Sequence, residues 1–208
     1  MAWIDDQLVA RGIRDPRVLD AMRRVPRHVF VERGAEPLAY ADRALPIGDG
    51  QTISQPYMVA AMTEALCLQG HERVLDVGTG SGYQAAILAE VAREVVSIER
   101  LVELAAAARA RLDSLGYRNV RVVVGDGSVG YADNAPYDGI LVAAAAPRVP
   151  ESLKQQLVDG GRLVIPVGPP DHQRLTIVTR DDDRFTESLH EGCLFVPLLG
   201  AEGWPESS

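Results

Sequence analysis

The segment running from Val74 through Leu75, Asp76, Val77, Gly78, Thr79, Gly80, Ser81 and Gly82 to Tyr83 concentrates the residue types in this chain best suited to chemistry. An apolar strand runs into a turn with glycine at alternate positions, and a helical stretch follows. Glycines there let the backbone turn tightly, and they let a ligand approach main-chain atoms that a Cβ would block. A dinucleotide fingerprint would place glycine at position 83, where this chain has tyrosine, so a pyrophosphate on the helix N-terminus loses support. Asp76 sits at the end of the strand, where its charge opposes a phosphate and suits a cation.

Two more acidic residues fall at the ends of the next two strand-like runs. Glu99 closes one of them, where a carboxylate can accept both hydroxyls of a ribose. Asp126, between Gly125 and Gly127, closes the other, where its side chain and the neighbouring backbone can meet an adenine edge. Each has a structural alternative: Asp76 and Asp126 as turn formers, Glu99 as the neighbour of a helix cap. Taken together, three acidic strand ends beside a glycine turn point to a cationic ligand that carries a ribose and an adenine. S-adenosyl-L-methionine, with its sulfonium and ammonium groups, is such a ligand.

The elements that must position these residues follow from the apolar spacing. From about Asp5 to Val31 the pattern is helical, broken at Gly12 and again near Pro26. Asp15-Pro16 reads as a helix start, followed by Val18, Leu19, Met22 and Val25 on one face. Residues 34–55 are rich in Pro, Gly and Asp and read as an irregular connection, with a further helix after Pro56. After His71 short apolar runs alternate with helical stretches. The expected strands are Arg73–Val77, Glu94–Ile98, Val120–Val124, Gly139–Ala143, Arg162–Val167, Leu175–Thr179 and Leu194–Leu198, with helices over Tyr83–Ala92 and Leu101–Leu115. Such alternation predicts an α/β fold, a doubly wound, mainly parallel seven-stranded sheet of Rossmann-like type whose ligand crevice lies at the strand carboxyl ends. The last strands follow one another without a long helix, so an antiparallel edge is expected there. We read one domain over 1–208, with 1–70 as an N-terminal helical and substrate-binding extension and 71–200 as the cofactor-binding sheet.

Composition narrows the partners. A net charge of -8, a pI near 5.0 and the lack of any Lys/Arg run argue against nucleic acid. Arg23, Arg24 and Arg27, at helical spacing, read as a solvated face. No apolar run is long enough to span a bilayer, and the first residues do not resemble a signal peptide. Cys67 and Cys193, both in apolar surroundings, read as buried thiols in a reducing compartment, so a cytoplasmic location is expected. The four histidines show no ligand spacing, and no metal is expected.

The glycine turn resembles the cofactor loop of class I methyltransferases. The segment Ala44–Met58 resembles the signature of protein-L-isoaspartate O-methyltransferases, and the likeness extends through Gly80–Ala86, Ser97–Arg100, Gly125–Gly127, Pro136–Asp138, Ala144–Pro147, Gly160–Gly168 and Phe195–Leu198. It covers roughly residues 15 to 200. The resemblance implies methyl transfer from S-adenosyl-L-methionine to the free carboxylate of L-isoaspartyl residues in damaged peptides and proteins. It makes Ser54 the catalytic position and sets Thr52, Ile53, Ser54 and Gln55 against cofactor and substrate. Cofactor contacts are expected at Asp76, Gly78, Thr79, Gly80, Glu99, Asp126 and Gly127. Two positions depart from many bacterial relatives: Leu194 stands in place of Arg, and Asp76 in place of Glu. Spacing alone leaves Ser54 open to a second role, capping the helix after Pro56. Two other readings share the glycine turn: a class I methyltransferase for a small molecule or modified peptide, and a non-enzymatic binding module.

Overall fold

The computed structural model describes residues 2–205. Helices α1 (Ala2–Gln7) and α2 (Pro16–Arg24) come first. Asp15 caps α2 by accepting from the Arg17 N–H at 2.8 Å, and Pro16 fills the first helical turn, where no N–H is needed. Residues 45–53, expected to be irregular, form a hairpin of β1 (Leu45–Gly48) and β2 (Gln51–Ile53). Its turn is Asp49-Gly50, with φ of 49° and 69°, the left-handed pair that tight hairpins require. That dipeptide was the signal for it. Helix α3 (Pro56–Ala65) follows.

The remaining elements are β3 (Arg73–Val77), α4 (Tyr83–Val91), β4 (Glu94–Glu99), α5 (Val102–Ser114), β5 (Val120–Val124), β6 (Tyr137–Val142), α6 (Glu151–Gln155), β7 (Leu157–Val167), β8 (Gln173–Asp181) and β9 (Arg184–Cys193). The larger sheet has seven strands in the order β5-β4-β3-β6-β7-β8-β9. Pairings from β5 through to β7 are parallel, and those of β8 and β9 are antiparallel. The chain builds outward from β3 to β5 and then returns to place β6 on the other side of β3. This reversal opens a crevice at the carboxyl ends of β3 and β6.

Strand alternation divides the core between the two faces of the sheet. Val74, Val95, Val122, Leu141 and Val164 pack on one face, together with α3, α4 and the apolar residues Ile4, Leu8, Val18, Met22 and Phe30 of the N-terminal helices. Leu75, Val96, Val123, Ile140 and Leu163, their immediate neighbours in sequence, pack on the other.

Three expectations are corrected. The last strand is Arg184–Cys193, not Leu194–Leu198, a segment that forms a bridge between Pro197 and Ala145 and exchanges hydrogen bonds between the Phe195 backbone and the Gln173 side chain of β8. As an outer edge strand exposed on both faces, β9 carries no apolar period to betray it. Arg27 is fully buried rather than solvated, its Nε donating to the Ala39 carbonyl at 2.6 Å and its guanidinium lying over the Tyr83 ring. Cys67 is exposed, on the left-handed residue that ends the turn after α3, and Cys193 is half-buried. No helix among the described residues is long and apolar enough to cross a membrane.

Candidate active site

The glycine turn is formed as its composition demands, with φ of 92°, 51° and 90° at Gly78, Gly80 and Gly82. The N–H groups of Gly78 and Thr79 donate to the Ile98 carbonyl at 2.9 and 3.3 Å, tying the turn to the end of β4. Glu99 completes the tie. One carboxylate oxygen accepts from the Gly80 N–H at 2.9 Å, and the other accepts from Leu101 N–H at 3.0 Å. Glu99 thus braces both the glycine turn and the start of α5 while still lining the cleft above them.

Beneath the turn lies a buried polar chain. The hydroxyls of Thr79 and Ser97 are 2.6 Å apart, and Ser97 donates to Asp76 at 2.7 Å. The second Asp76 oxygen is buried without a hydrogen-bond partner among the described residues. Burial raises the Asp76 pKa to about 7; the Ser97 hydrogen bond opposes the rise, and the charge of Glu99 adds to it. A carboxylate this short of partners, beside a second carboxylate, is an arrangement that a cation nearby would stabilise. Ser97 was missed from sequence, although a lone hydroxyl between Val96 and Ile98 in an apolar strand was a visible signal.

An open cleft of about 850 Å³ lies over the crevice, and Thr52, Ile53, Ser54, Gly78, Thr79, Gly80, Glu99 and Gly127 line it. Gln51, Arg100, Leu101, Leu198 and Leu199 also line it and were not expected. A second cleft of about 610 Å³ adjoins the first and contains Gln55, Tyr57, Glu191 and Leu194. Thr52, Ser54, Ala143 and Val196 belong to both. Gln55 therefore faces the second cleft alone, and Asp76 lies below the first without lining it.

Asp126 also lies off both clefts. Its Oδ1 accepts from the N–H and hydroxyl of Ser128 at 2.8 and 2.7 Å, and its Oδ2 accepts from the Ala201 N–H at 2.8 Å. Burial pushes its pKa up, but these donors and the nearby Arg100 charge outweigh burial and hold the carboxyl below its ordinary range.

Ser54 is delivered by the hairpin. Ile53, the last residue of β2, is buried and anchors the strand end against the core. The capping role for Ser54 fails: Gln55 is the N-cap of α3, and the Tyr57 N–H in the first turn is satisfied by Asp42 at 3.0 Å. That leaves Ser54 in the wall between the two clefts with no part in starting the helix.

The sheet order and the glycine turn at its point of reversal define a Rossmann-like fold of the methyltransferase type. The chain belongs to the family described as Protein-L-isoaspartate(D-aspartate) O-methyltransferase (PCMT), whose model matches residues 3–203. It is 59% identical over 204 residues, 97% of this chain and 90% of the relative, to a "Protein-L-isoaspartate O-methyltransferase 2" of Pelobacter propionicus. Among solved structures, one protein-L-isoaspartate O-methyltransferase aligns with a TM-score of 0.87 and 29% identity, over 96% of this chain and 66% of that one. A candidate enzyme of the same name from Plasmodium falciparum, solved in complex with S-adenosyl-L-homocysteine, aligns with a TM-score of 0.79 and 25% identity over 95% and 97% of the two chains.

Proposed function

We propose that this protein transfers a methyl group from S-adenosyl-L-methionine to the free carboxylate of L-isoaspartyl residues in damaged proteins. The observation that carries the reading is the place of Ser54 in the wall common to two clefts, one over the glycine turn and one lined by Gln55, Tyr57, Glu191 and Leu194. The residues of the first cleft fit the methyl donor. Glu99 would take the ribose, the glycine turn would let the ligand lie close to the backbone, and the partnerless oxygen of Asp76 would balance positive charge from below. Bound there, S-adenosyl-L-methionine supplies an electrophilic methyl group.

The acceptor needs little activation. An α-carboxyl has a reference pKa of roughly 3.3–3.7, so at neutral pH it is already a nucleophilic anion, and no general base is required. Ser54 donates its hydroxyl proton in a hydrogen bond to the carboxylate and holds one oxygen in line, with Thr52 beside it on the same wall. Alignment of this kind contributes about 7–11 kcal/mol in well-oriented systems. Once the methyl ester forms, the adjacent backbone amide nitrogen attacks the ester carbonyl and methanol leaves. The resulting succinimide hydrolyses in part to normal aspartate. Two free thiols suit a reducing compartment, so the same reading places the enzyme in the cytoplasm.

The test compares a synthetic isoaspartyl peptide with its aspartyl twin. An isoaspartyl link carries its carboxylate directly on the main chain, whereas normal aspartate carries it one methylene out. A site that fixes backbone and carboxylate together misaligns the wrong isomer, and a displacement of about 1 Å costs roughly a hundredfold in rate. Base-labile methyl ester on the isoaspartyl peptide alone is expected. Comparable labelling of both twins, or of neither, would defeat the reading.

A further inference from the structure

The second cleft has a rim whose chemistry the transfer reaction does not use. We infer that Glu191 and Leu194 set which residues are accepted beside the isoaspartate, favouring apolar side chains and turning acidic ones away. The inference rests on the function proposed above, and the occupant of the rim is the side chain flanking the isoaspartyl residue of the substrate polypeptide.

Both residues line the cleft that contains Ser54, so a chain presenting its carboxylate there must pass them. Leu194 is 72% exposed, more than any other large hydrophobic side chain among the described residues. An apolar group held open on the rim of a binding cleft gains when a flanking side chain covers it, because both surfaces leave water together.

Glu191 is the acidic residue among those lining the cleft. Arg11 lines it, but its guanidinium is ion-paired with Asp42 and its Cζ lies 3.4 Å from the centroid of the Tyr57 ring. Glu191 accepts a hydrogen bond from the Tyr57 hydroxyl at 2.9 Å, a neutral partner that fixes the carboxylate in place without neutralising it. Tyr57 is itself held by Asp42 through its N–H at 3.0 Å, so the negative charge sits on a firm mount. The rim therefore presents one carboxylate whose hydrogen-bond partner is neutral next to one exposed leucine.

The experiment uses isoaspartyl peptides identical except for one neighbour of the isoaspartate, on either side, which is Leu, Lys, Glu or Gly. The readout is the ratio of kcat/KM between peptides within each protein, so a general change in activity cancels. The wild-type protein should prefer Leu and Lys over Glu by about two- to fivefold at low salt, the size of a partly exposed charge interaction. Glu191→Gln should abolish the preference of Lys over Glu, as should high salt, which screens an exposed charge. Leu194→Ala should remove the advantage of Leu over Gly and leave the Lys-to-Glu ratio alone, while Leu194→Arg should favour Glu. Unchanged ratios in all three variants would overturn the inference while leaving the proposed function standing. If no isoaspartyl peptide is methylated by the folded protein, the proposed function fails and this inference goes with it.

Discussion

The carboxylate of Asp126 accepts a hydrogen bond from the Ala201 N–H at 2.8 Å, joining the end of β5 to a turn 75 residues further along the chain. The Ser128 hydroxyl accepts from the Glu202 N–H at 3.0 Å, and Trp204 donates from its indole nitrogen to the Ala145 carbonyl at 3.1 Å. These bonds pin the segment that supplies Leu198 and Leu199 to the first cleft. Asp126 thus reaches the cleft through the turn.

The first prediction separates that role from a direct ligand contact. A Cβ on Gly200 would stand 2.0 Å from Asp126 Oδ1, at a φ of 152° that side chains rarely adopt, so Gly200→Ala must push the turn away. Asp126→Ala removes the same anchor, at about 1–3 kcal/mol. Both variants should weaken S-adenosyl-L-methionine binding to a similar degree, read by calorimetry. Loss of affinity in Asp126→Ala alone would assign Asp126 to the ligand itself.

What was legible in the sequence was what short-range pattern encodes. The apolar strand that carries Asp76, the glycine turn and Glu99 all announce themselves within a few residues; the turn and Glu99 line the first cleft, while Asp76 lies beneath it. The hairpin was written in Asp49-Gly50 but overshadowed by the Pro- and Gly-rich segment around it. Arg27 lies on no face that helical spacing alone could mark as buried; tertiary packing under Tyr83 decides it. The Asp126–Ala201 bond and the Tyr57–Glu191 bond join residues far apart in sequence, and a single sequence carries no mark of such pairs.

A second prediction concerns Glu99. Its two oxygens already accept from Gly80 and Leu101, so Glu99→Ala releases the glycine turn as well as removing any ribose contact. S-adenosyl-L-methionine binding should weaken by about 1.5–3 kcal/mol, the range for hydrogen bonds to a charged acceptor. Glu99→Gln, which keeps one acceptor oxygen, should fall between. Unchanged affinity in the folded alanine variant would remove Glu99 from the site.

Ser54→Ala is the third. With the α3 cap supplied by neighbours, the substitution should leave the stability within about 0.5 kcal/mol of wild type, as for surface changes away from special features. Methyl transfer should fall at least about tenfold, or 1.4 kcal/mol, because the hydroxyl aligns the reacting carboxylate. S-adenosyl-L-methionine affinity should change little. Steady-state kinetics beside a melting curve decides the matter, and full activity would sink the catalytic role.

The last prediction uses the titration of Asp76. Its folded pKa, raised to about 7 chiefly by burial, lies above its ordinary value of 3.8. Between these values the native protein holds a proton that the unfolded chain has released. Stability therefore falls as pH rises through that window and levels off above about pH 7. A shift of this size corresponds to on the order of 4 kcal/mol. Asp76→Asn has no such proton to lose, so its stability relative to wild type should climb as pH rises from about 5 to 8. Ligand binding should run the other way. The ionised carboxylate is the form that attracts a cation, so wild-type affinity for S-adenosyl-L-methionine should strengthen through about pH 7 relative to the variant. Taking the difference between the two proteins cancels any titration of the ligand itself. Melting curves and calorimetry across this range test both halves, and parallel pH profiles for wild type and Asp76→Asn would show that Asp76 neither titrates there nor faces the cation.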